Sequence, residues 1–73
     1  MAISEFCKRV ATVLKNLRIS NNLSVKELSE KSGLSVYKIL NIENFKHDIK
    51  FLTVCKLCEI YKISLRDFAD MTE

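Results

Sequence analysis

The chain has 73 residues, 48% of them hydrophobic and 29% charged, with a net charge of +3. That length supports one small domain with a limited core, and that composition excludes a disordered chain. One glycine and no proline leave too few breakers for a many-turned β architecture, so the expected class is all-α. A pI of about 8.9 favours an anionic partner. No apolar run reaches the ~18–20 residues of a membrane span. The start, MAISEFCKRV, lacks the basic and apolar blocks of a secretory signal. The three cysteines, an odd number, are then expected as reduced thiols of a cytoplasmic protein.

The first expected helix covers residues 3–19. Phe6, Val10, Val13, Leu14 and Leu17 fall on one stripe of a 3.6-residue period, and Ser4 is placed to cap it. Ser20-Asn21-Asn22 reads as a turn, because such side chains bond their own backbone. Ser24-Val25-Lys26-Glu27 fits a capping box and opens a second helix over 25–32, with Leu28 inward. Gly33 closes that helix, since glycine takes the left-handed backbone without a steric cost. Leu34 supplies the apolar contact past the cap.

Ser35 caps a third helix over 36–43. Ile39 and Ile42 form its buried face, with Val36 open to either the core or the surface. Tyr37, Lys38, Asn41 and Asn44 lie largely outside it. The stretch 44–50 is polar and basic and reads as a loop. Phe51, Val54, Cys55, Leu57, Cys58 and Tyr61 make the stripe of a fourth helix, 51–61. Ser64 opens a short fifth one, 65–70, carrying Leu65, Phe68 and Ala69. Two short helices joined at the only glycine, within Val25–Asn44, read as a helix-turn-helix with the second helix offered to DNA.

In this order and spacing the chain resembles the phage-repressor and Cro-like (XRE-type) helix-turn-helix family over about residues 14–68. The likeness rests on Leu23-Ser24, Glu27-Leu28, Glu30-Lys31, Gly33-Leu34-Ser35, Ile39, Ile42-Glu43, Thr53-Val54, Lys56-Leu57 and Ile63-Ser64-Leu65. It implies a compact five-helix, lambda-repressor-like domain whose third helix enters a major groove ~12 Å wide. On that resemblance the base-reading residues are Val36, Tyr37 and Asn41, with Lys38 and Leu40 at the margin. Phosphate contacts fall to Lys26, Lys38, Asn44, Lys46 and Lys50, helped by the amide-rich starts of the second and fourth helices. Arg18 and Glu43 are the expected structural pair.

Three positions depart from the family's pattern. Val25 stands where a glutamine often holds a phosphate, and Phe45 and Lys62 stand where glycines are common. The expected function is a sequence-specific transcriptional regulator, of repressor or controller type. It would act as a small homodimer on a palindromic double-stranded operator with half-sites ~34 Å apart. Leu65, Phe68 and Met71 are its expected dimer surface, because a Phe so near the end has little core left to fill. The competing expectation is a protein-binding module that keeps the helix-turn-helix as scaffold, motivated by Val25, Val36 and Phe45.

Cys55-x-x-Cys58 sits mid-helix on the buried stripe, where cysteine behaves as a small hydrophobe. No metal is therefore expected, even with Cys7 and His47 counted. No nucleophile accompanies His47, and one glycine cannot make a phosphate-binding loop. No enzyme activity, cofactor, small-molecule ligand or membrane partner is expected.

Overall fold

A computed structural model describes residues 5–45 and 49–73. The described residues form five helices and no strand: α1 Glu5–Ser20, α2 Val25–Ser32, α3 Val36–Glu43, α4 Phe51–Tyr61 and α5 Leu65–Met71. The expectations for a Ser4 cap, a Lys46 phosphate contact and His47 fall outside the described residues.

Val10, Leu14 and Leu17 of α1 enter the core, joined by Ala11. Leu28 of α2, Ile39 and Ile42 of α3, Leu57, Cys58 and Tyr61 of α4, and Phe68 of α5 complete it. The α2 helix packs on α3 and α4, while α3 also packs on α1. Every helix thus gives one stripe to a common centre, the arrangement an all-α domain needs to bury its apolar faces. The C-terminal end is tied back to α1 by Arg9, whose Nε donates to the Thr72 carbonyl at 3.0 Å.

Two aromatic residues of the expected stripes are not core. Phe6 is 56% exposed and Phe51 67% exposed. Both stand in first helical turns, on the walls of a groove that no other described residue fills. Conversely, Phe68 is 6% exposed. It fills the core of its own chain, so the premise that made it a dimer residue does not hold. The groove between α1, α4 and α5, about 770 Å³, has Phe6, Ile49, Phe51, Val54 and Leu65 around it, with Phe68 also on its wall.

Among the described residues, Asn22, Gly33, Phe45 and Lys62 close turns with positive φ. At Lys62 (φ 59) the Lys62 and Ile63 N–H groups donate to the Glu59 and Cys58 carbonyls at 3.2 and 3.1 Å, a Schellman closure of α4. A lysine there bears the left-handed penalty of about 1–2 kcal/mol that glycine escapes. Its side chain is exposed. Lys62→Gly is therefore expected to stabilise the domain by about 0.5–1 kcal/mol after glycine's extra chain entropy is subtracted. An unchanged urea midpoint would contradict that.

Candidate nucleic-acid interface

The α2–turn–α3 unit is built from local hydrogen bonds. At the start of α2 the Glu27 N–H donates to Ser24 Oγ at 3.0 Å, and the Ser24 N–H donates to Glu27 Oε1 at 3.0 Å. The Glu27 carboxyl is held below its ordinary range, chiefly by that Ser24 N–H. At the start of α3 the Lys38 N–H donates to Ser35 Oγ at 3.0 Å. Between them Gly33 takes φ 76, and its N–H donates to the Ser29 carbonyl at 2.9 Å. A Cβ on Gly33 would meet nothing within 4 Å, so conformation rather than space requires glycine here.

Two serines clamp this turn that the sequence reading passed over. Ser29 Oγ donates to the Leu34 carbonyl at 2.6 Å, and the Leu34 N–H donates to Ser32 Oγ at 3.1 Å. Ser32 is buried. Their only trace in the sequence is a pair of hydroxyl residues one and four places before the glycine.

The faces of α3 separate cleanly. Ile39, Ile42 and Glu43 are buried. Val36 is 41%, Tyr37 66% and Leu40 42% exposed. Asn41 is half-buried, and Lys38 and Asn44 are exposed. Val36, which the sequence left open between core and surface, lies on the surface. Leu40, placed at the margin, stands out beside it.

Arg18 fixes the far end of α3. Its Nε donates to Glu43 Oε2 at 2.9 Å, its Nη2 to Glu43 Oε1 at 3.1 Å and its Nη1 to the Leu23 carbonyl at 2.9 Å. One guanidinium thus joins α1, the connection after it and α3 in a two-pronged geometry. Its hydrogen bond to Glu43 raises its pKa further, so its charge is permanent. The Tyr61 hydroxyl is buried without a hydrogen-bond partner among the described residues. Burial first, and the Glu43 charge second, push its pKa well above the phenol range.

The sequence pattern of the helix-turn-helix domain family matches residues 12–72. The chain belongs to that family, and to its phage-repressor and Cro-like branch. A helix-turn-helix domain of this kind marks a DNA-binding regulator, and the family is not an enzymatic one. No curated protein matches the chain.

In this helix-turn-helix Lys26 and Lys38 are exposed, as is Lys50 at the start of α4. The Val25 side chain packs against the core, which explains why an apolar residue suits the first position of α2. The capping box occupies donors at the start of α2 and sets the Glu27 carboxylate there, which opposes a phosphate. The start of α4 has no side-chain cap at Lys50 and suits an anion better. Phe45 is half-buried just past Asn44, the C-cap of α3, at φ 62.

Elsewhere, Leu65 and Met71 are exposed on α5. Leu65 lines the apolar groove, whereas Met71 is not among its lining residues. Cys58 is buried and its thiol is pushed up by that burial, the condition of an unreactive thiol. Among the described residues no group of His, Cys, Asp or Glu is placed to hold a metal ion. Among them, too, no helix is long and apolar enough to cross a membrane.

Proposed function

We propose that this chain is a sequence-specific transcriptional regulator that binds double-stranded DNA with α3 in the major groove. The observation that carries the reading is the outward face of α3, held on a core-locked scaffold. Ile39 and Ile42 bury one side, the Arg18–Glu43 pair pins the end, and Val36, Tyr37 and Asn41 are left to meet base edges. Asn41 suits adenine, Tyr37 can donate to a base edge or a phosphate, and Val36 suits a thymine methyl. Lys26, Lys38, Asn44 and Lys50 would position the duplex through its phosphates, as would Lys46 by its place in the sequence.

The working form in this reading is a homodimer on a palindromic operator. Exposed Leu65, together with Phe6 and Phe51 across the groove, supports a second copy as the cover of that face; Met71 would sit at its edge. Phe68 contributes the groove's wall rather than a free side chain.

A second reading has support of its own, since Val36 and Leu40 make part of the α3 face apolar. In it the domain binds a protein partner through that face. Salt separates the two. DNA binding through four to six phosphates should weaken with a log–log slope of about −0.9 per phosphate, or roughly −4 to −5. A slope near zero would sink the DNA reading and favour the protein partner.

A further inference from the structure

The outward face of α3 carries a particular chemistry. At about 100° per residue, Val36, Leu40, Asn44, Tyr37 and Asn41 fall in that order within an arc of about 140°, and Lys38 lies about 60° beyond it. Arginine and lysine are the side chains that most often read guanine through O6 and N7; the helix contains no arginine, and its one lysine, Lys38, lies outside that arc. The chain's three arginines are Arg9, Arg18 and Arg66. Arg9 is bonded to the Thr72 carbonyl, Arg18 to Glu43, and Arg66 lies on α5. What the face does offer is two branched apolar side chains, a tyrosine and asparagines. An asparagine matches adenine N6 and N7, and an apolar side chain matches the thymine C5-methyl.

We infer that α3 reads A·T pairs, with Val36 and Leu40 packed on thymine methyls and Asn41 paired to adenine, so that each half-site is A·T-rich beneath the first turn and a half of the helix. The inference rests on the DNA-binding reading and narrows it to a class of sequence. It also gives the apolar residues of this face a use that requires no protein partner.

The test is selection of duplexes from a random pool by the full chain at low salt, followed by replacement of thymine with uracil in the enriched duplex. Uracil removes the C5-methyl alone. The expected result is a run of A·T pairs in each half-site and a loss of about fourfold in affinity for each contacted methyl, the value of burying one methyl group. Val36→Ala and Leu40→Ala should shrink the thymine-over-uracil preference, and Asn41→Ala should relax the adenine position while leaving that preference in place. Enrichment of G·C pairs at these steps would overturn the inference and leave DNA binding standing. Equal affinity for thymine and uracil duplexes would also overturn it, by showing that neither Val36 nor Leu40 is packed on a thymine methyl. No enrichment at low salt would remove the DNA-binding reading and this inference with it.

Discussion

Glu43→Ala is expected to destabilise the domain by about 3–5 kcal/mol, the cost of leaving a buried charge without its partner. The side chains of Arg18 and Glu43 are only 12% and 4% exposed, so water cannot replace the lost carboxylate. Arg18 would keep its bond to the Leu23 carbonyl and remain charged. Folded domains hold roughly 0.05–0.15 kcal/mol per residue, about 4–11 kcal/mol for a chain of this size. The variant should therefore lose a large share of that margin, read as a much lower urea midpoint in a titration followed by circular dichroism. The double variant Arg18→Met with Glu43→Leu should recover much of the loss, because apolar residues of similar volume satisfy each other. A single-variant loss under about 1 kcal/mol would make the pair an ordinary solvated bridge. The functional consequence follows from position: Glu43 is the last residue of α3, so the pair sets where the outward face points.

Leu28→Ala should cost about 2–5 kcal/mol, through lost burial and a residual cavity. Leu28 is one of the two largest fully buried side chains, and it holds α2 in the core shared with α3 and α4. Its removal loosens the helix that sets the α3 angle. Val36→Ala is the contrasting case. Its side chain is exposed, so stability should change by no more than about 0.5 kcal/mol, while base recognition changes. Equal stability losses in the two variants would show that Val36 belongs to the core and not to the outward face.

Much of this was legible because the signals are local. Ser24 with Glu27, Gly33 and Ser35 act within a few residues of themselves, so the edges of α2 and α3 can be read from their own side chains. The all-α class followed from the scarcity of breakers. Other features depend on contacts that periodicity does not report. A stripe says which side of a helix is apolar but not how far along it the packing extends, which is why Phe6 and Phe51 share a stripe with core residues and yet stay exposed. The same blindness made Phe68 look surplus, although α5 folds back to bury it. The Ser29 and Ser32 clamps exist only once Gly33 has turned the chain toward them. Phe45 and Lys62 were visible as replacements for glycine. The structure adds that the left-handed backbone is retained at both, because the turns that close α3 and α4 demand it.

DNA binding, in this reading, falls to the outward face of α3 and the residues around it. Amide chemical shifts of the isotope-labelled protein, followed while double-stranded DNA is added at low salt, test it most directly. Shifts are expected to concentrate in residues 36–44 and at Lys26 and Lys50, with little change at Phe6, Phe51 and Leu65 beyond any that accompany dimer formation. Shifts confined to the groove of Phe6, Phe51 and Leu65, or none at all, would contradict it.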